Sequence, residues 1–169
     1  MLALALGGIP IALLIPAAFS DMRTRIVKKN RWLTASTLIA AMLVVVEVLT
    51  QKISVPTAVL GAGIGYLWAT IMLIVALSQG STGKPALGGA DIRLLFGPVP
   101  LIVAALGYSG PVWLMGVLTF GQVAGFIWWK YISKKTVSTS GYPLVAAMGY
   151  SGIVIFGILL VLAMLGINA

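Results

Sequence analysis

No cysteine and no histidine occur anywhere in this sequence, and only three residues, Asp21, Glu47 and Asp91, are acidic. Each absence removes a class of chemistry. Without histidine, serine and cysteine triads lack their usual base. Without histidine or cysteine, zinc loses its two commonest ligands and haem loses its usual axial ligands. No disulfide can form. Charge is scarce as well: 8% of the 169 residues are charged and 60% are hydrophobic, whereas a soluble domain carries about 25% charged residues. Water would not tolerate so much apolar surface, and lipid does. The length suits a single domain covering residues 1–169.

Apolar runs long enough to span a bilayer, about 20 residues each, recur along the chain. They predict an all-α integral membrane protein built as a bundle of six transmembrane helices. The expected spans are roughly 2–20, 32–50, 55–77, 91–106, 112–131 and 143–165. The fourth is short, and Pro98 and Pro100 are expected to distort it. A Gly- and Ser-rich stretch from Ser78 to Gly89 and a polar stretch from Ser133 to Gly141 read as loops, and Gly107 to Pro111 as a tight turn. The first run is expected to be a retained helix and not a cleaved secretory signal, because its basic residues follow the apolar segment instead of preceding it.

The net charge of +8 would suggest nucleic acid in a soluble protein. Here the basic residues lie between spans, so the reading is topology and anionic lipid, with no nucleic-acid partner. Arg23, Arg25, Lys28, Lys29 and Arg31 fall in the first loop. Lys84 and Arg93 fall at the third, and Lys130, Lys134 and Lys135 at the fifth. The second loop holds Lys52 alone and the fourth holds none. Positive residues mark the cytoplasmic side, so the odd loops are expected inside and both termini outside.

That topology gives the three acids positions. Asp21 closes the first span and Asp91 opens the fourth, both at the cytoplasmic edge. Glu47, 16 residues past Arg31, falls about 24 Å along the helix, near the opposite face. Acids in or beside a span are costly and call for an explanation. Two carboxylates within a few ångströms do not both ionise easily. The ionised one takes a proton from water, and the protonated one donates a hydrogen bond to a carbonyl. Such a pair requires no metal, histidine or cysteine. The plainer alternative also stands: Asp21 pairs with Arg23 or Arg25, and Asp91 simply favours a helix N-terminus.

Gly88, Gly89 and Ala90 place three small residues directly before Asp91, and small residues allow a helix or a substrate strand to approach closely. The segment Gly-Gly-Ala-Asp-Ile-Arg-Leu-Leu, residues 88–95, resembles the Gly-x-Gly-Asp motif of prepilin peptidases. Ala90 stands in place of the second glycine and Arg93 in place of the common lysine. Asp21, followed by Arg23 and Arg25 with Asn30 beyond, is similar to that family's first motif. Tyr142-Pro143-Leu144 with Ala146, Ala147 and Gly149 is similar to its last. The resemblance implies a membrane aspartic endopeptidase with Asp21 and Asp91 catalytic, supported by Asn30, Gly88, Gly89, Ala90 and Arg93. It further implies no cofactor, a multi-pass location in a prokaryotic cell membrane, and pilin-like or archaellin-like precursors as substrates cut at their signal segments. The absence of a cysteine-rich methylase domain makes the chain similar to the short forms, as in archaeal preflagellin peptidases and the small peptidases of tight-adherence pilus systems.

Other features have structural readings. Gly61/Gly65 and Gly121/Gly125 fit small-residue helix packing, Gln122 an interhelical hydrogen bond, and Trp128, Trp129 and Tyr131 an interfacial belt. A Ser–Lys protease using Ser78 or Ser81 with Lys84 would need a buried lysine, which an exposed loop does not offer. Two rival functions remain. A small transporter or channel would draw on the broken fourth span and Glu47. The other is a non-catalytic membrane assembly partner.

Overall fold

The structure is a computed structural model that describes residues 2–24, 31–79, 89–121, 123, 127 and 144–166. Among these residues every regular element is helical. The helices are α1 (Leu2–Ala12), α2 (Leu14–Thr24), α3 (Arg31–Leu49), α4 (Val55–Gln79), α5 (Gly89–Phe96), α6 (Pro98–Ala105), α7 (Ser109–Gly116) and α8 (Leu144–Met164), with a π-helical turn at Val117–Gly121 after α7. Within these, Arg31–Leu49, Val55–Val75 and Val145–Met164 are long and apolar enough to cross a membrane.

Proline decides where the apolar runs break. Pro16 has no N–H to offer the Ala12 carbonyl, and its ring crowds that carbonyl. The first run accordingly divides at Leu13 into α1 and α2, a break the continuous hydropathy of that run conceals. The expected distortion near Pro98 and Pro100 is a full break: α5 ends at Phe96, Gly97 takes φ −96° and ψ −96°, and α6 starts on Pro98. Gly97 is required there, because a Cβ would lie 2.5 Å from the Arg93 carbonyl oxygen and 2.9 Å from the Thr37 hydroxyl.

α6 is the axis of the bundle. All but one of its eight residues are buried, and it packs against α1, α3, α4, α5 and α7. A helix apolar all round is stable only when neighbours enclose it. α4 approaches α6 through Gly61 and Gly65, where added Cβ atoms would meet the backbone of Ala104 and Pro100 at 3.0 and 2.5 Å. The expected small-residue contact is therefore the α4–α6 seam. Ser36 of α3 donates 2.7 Å to the Pro10 carbonyl of α1, and the Trp113 indole of α7 donates 2.9 Å to the Gly152 carbonyl of α8.

The link between α3 and α4 is tight. Gln51, at φ 56°, ends α3 while Lys52 N–H reaches back to the Glu47 carbonyl at 2.9 Å, a Schellman closure. Ser54 then caps α4 by accepting from Thr57 N–H at 3.2 Å. The outward faces of these two helices expose Leu38, Met42, Leu49, Val59, Leu60, Leu67 and Ile74. An apolar face of that extent suits lipid and not water.

Candidate active site at the ends of α2 and α5

Gly89, Ala90 and Asp91 form the first turn of α5. Acids are favoured at a helix N-terminus, where free backbone N–H groups point outward. The rotation of α5 is fixed by Leu94 and Leu95, which are fully buried. Residues three and four apart share a helix face, so Asp91 lies on the inward stripe with Leu94 and Leu95, and it is half-buried. Ala90, also half-buried, packs against the core. Gly89 is exposed, and no described atom lies within 4 Å of where its Cβ would be. Of the two roles small residues before Asp91 can serve, Gly89 borders open space and seats no other helix among the described residues. Arg93 is exposed in the last turn of α5.

Asp21 lies in the last turn of α2. Ahead of it, Leu14, Ala17 and Ala18 are buried. Leu14, Ala17 and Ala18 share one stripe of the helix. That stripe meets α8 at Gly149, where a Cβ would lie 2.7 Å from the Ala18 methyl and 3.3 Å from the Leu14 carbonyl oxygen. Only a residue without a side chain lets α2 and α8 come so close. α8 packs against α5 as well as α2, so the two acid-bearing segments share one supporting helix. Asn30 and Gly88 lie outside the described residues, as do Ser81, Lys84, Gln122, Gly125, Trp128, Trp129, Tyr131, Tyr142 and Pro143. Ser78 is a helical residue whose hydroxyl donates 2.7 Å to the Val75 carbonyl.

The third acid is placed differently. Glu47 is 1% exposed near the end of α3, and neither carboxylate oxygen has a hydrogen-bond partner among the described residues. Its position along α3 is legible in the sequence, its burial is not.

A family model described as the type IV leader peptidase family matches residues 9–130. The chain belongs to the type IV leader peptidase family. The match takes in both α2 with Asp21 and α5 with Asp91, and ends before α8. The family is one of aspartic proteases, which supports peptidase activity here. No curated protein and no solved structure matches the chain.

A further feature lies on the face of α5 opposite Asp91, and among its lining residues only Ile92 and Arg93 belong to a sequence motif. A groove of about 380 Å³ lies between α3 and α5, lined by Leu33, Thr34, Thr37 and Leu38 on one side and Ile92, Arg93, Phe96 and Gly97 on the other. Both walls repeat the spacing i, i+1, i+4, i+5, which is one helical face each. Apart from Arg93, these residues read in sequence as ordinary span residues.

Proposed function

We propose that this chain is a membrane aspartic endopeptidase that removes the signal segment of pilin-like or archaellin-like precursors, with Asp21 and Asp91 as the catalytic pair. The observation that carries this reading is the family match spanning both acids, together with their placement on two helix ends held by the same helix, α8. The proposed setting is a prokaryotic cell membrane crossed six times by one domain, with both termini outside and the site at the cytoplasmic face.

In this mechanism one carboxylate removes a proton from a water held between the pair, and the resulting hydroxide adds to the scissile carbonyl carbon. The partner, protonated, donates to the carbonyl oxygen as charge develops there. Collapse of the tetrahedral species breaks the C–N bond, and the proton taken from water is delivered to the leaving nitrogen. Among the described residues, the open space at Gly89 would admit an extended peptide backbone near Asp91.

The test is cleavage of a pilin-like precursor co-expressed with wild type, Asp21→Asn or Asp91→Asn. Asparagine keeps size and hydrogen bonding but cannot exchange the proton. Each variant is expected to remain folded in the membrane and to lose cleavage. A normal rate in either variant overturns the assignment. A second reading, a small transporter, is favoured by one observation, the buried Glu47, whose carboxylate has no partner among the described residues. It moves ahead if both asparagine variants cleave normally.

A further inference from the structure

We propose that the groove between α3 and α5 binds one anionic phospholipid, with its phosphate on Arg93 and Arg31 and an acyl chain along the apolar wall. The site is independent of the protease reading, since it lies on the face of α5 that turns away from Asp91.

Both cations stand at one end of the groove. A Cβ on Gly97 would meet Thr37, and one on Gly107 would meet Ile53, past the end of α3. The stretch 97–107 therefore runs in the same direction as α3, and Arg93, a turn before Gly97, lies toward the start of α3. Arg93 lines the groove itself and is exposed. Arg31, also exposed, precedes the lining residues Thr34 and Leu38 at helical spacing, so it shares their face. Its guanidinium lies 5.0 Å over the Trp32 ring, a stacking that uses the face of the cation and not its N–H edges. No acid lines the groove. Glu47 is near the other end of α3, and Asp91 is on the opposite face of α5.

The walls, and what continues them, fit an acyl chain. Apart from Thr34, Thr37 and Arg93 the lining is apolar, and the Thr37 hydroxyl donates 2.8 Å to the Leu33 carbonyl in its own helix. From Leu33 to Leu38 the wall runs about 8 Å. Past Leu38 the same stripe of α3 continues as Met42, Val45 and Leu49, all exposed. Cations at the head of one unbroken apolar stripe match a ligand that carries its charge at one end only. α3 is long and apolar enough to cross a membrane, and an arginine and a tryptophan at its start are residues that settle at the headgroup level. A guanidinium fork takes two phosphate oxygens at once. Two such cations repel the ammonium of a zwitterionic headgroup, so the site selects lipids of net negative charge.

The experiment uses the full chain in detergent, with bound lipid counted by native mass spectrometry during titration with phosphatidylglycerol or phosphatidylcholine. Phosphatidylglycerol is expected to bind about tenfold more tightly, and Arg93→Gln and Arg31→Gln are each expected to weaken it about fivefold while leaving phosphatidylcholine unchanged. Thr34→Trp fills the groove at an exposed position and is expected to weaken both lipids; Leu38→Trp repeats that test should the first variant fail to fold. Lys52→Gln, exposed beyond the other end of α3, is expected to weaken neither. Excess inorganic phosphate, which has no acyl chain, is expected to leave the lipid in place. In phosphatidylcholine vesicles holding a minority of phosphatidylglycerol, a photo-crosslinking residue at position 38 is expected to capture phosphatidylglycerol above its share of the membrane. Equal affinity for the two lipids, or a loss in Lys52→Gln as large as in Arg93→Gln, overturns the site and leaves only diffuse attraction to a chain of net charge +8. Displacement by phosphate, or unchanged binding in both tryptophan variants, overturns the groove as the seat of the acyl chain.

Discussion

Replacing Glu47 by methionine is expected to make this protein more stable without slowing cleavage. The side chain is 1% exposed, and both oxygens lack a partner among the described residues. A buried polar group left without a hydrogen bond costs about 1–3 kcal/mol. A replacement of similar length that carries no polar group recovers much of that, as when buried charged groups give way to packed apolar ones. Methionine matches the length of glutamate and adapts to an irregular site. The backbone carbonyl of residue 47, which accepts from Lys52 and Ile53, is unaffected by the change. The expected gain is therefore about 1–3 kcal/mol, and each kcal/mol raises Tm by roughly 2–4 °C in a chain of this size. Thermal unfolding of the purified protein in detergent, followed by tryptophan fluorescence, reads the shift directly. Glu47→Gln, which keeps two polar atoms in the same place, is expected to gain less. A loss of more than about 1 kcal/mol in the methionine variant would refute the orphaned-group argument. A folded variant that no longer cleaves would refute the placement of the active site at the other end of the bundle.

Gly65→Ala puts a methyl group against the Pro100 backbone, which cannot rotate away, so a loss of about 1–3 kcal/mol is expected in denaturant titration. Gly63→Ala, on the same helix with no described atom within 4 Å, should be neutral or slightly stabilising. Ser36→Ala removes the 2.7 Å bond to the Pro10 carbonyl and is expected to cost about 0.5–2 kcal/mol, read in the same titration. The Asp21→Asn/Asp91→Asn double variant should be no slower than either single variant, because members of one catalytic unit are not additive. Chelators should leave the wild-type rate unchanged, and its kcat/KM should show a bell-shaped pH profile whose two constants belong to the pair. A rate that falls on adding EDTA would sink the metal-free mechanism.

Long apolar stretches with sharp polar ends are legible in a sequence, and α3, α4 and α8 lie within a residue or two of where hydropathy puts them. The break at Gly97 is legible too, since Pro98 and Pro100 follow it closely. The break at Leu13 is not, although Pro10 and Pro16 stand in plain view. Hydropathy sums side chains and is blind to a missing N–H. The positions of Asp21 and Asp91 at helix ends follow from chain order and loop charge. Which way a residue faces is harder to read. α3 is apolar around its whole circumference, so nothing in its pattern says that Glu47 turns inward and Leu38 outward. The approach of Gly149 to Leu14 was hidden for a related reason: a glycine in a long apolar helix announces a close contact without naming the partner.

The brevity of α5 and α6 has a consequence for the surrounding bilayer. From Gly89 to Ala105 the two helices and their joint hold 17 residues, about 25 Å at 1.5 Å each. The hydrocarbon layer is about 30 Å thick. α4 beside them has 25 residues and reaches about 37 Å. If the chain spans as proposed, lipid packed along α5 meets a segment too short for it, and thinning of that leaflet is the usual accommodation. Water then dips toward Asp91 while the neighbouring chains stay apolar. The acyl-chain length of the host membrane thereby sets how deep the acid lies beneath the water surface.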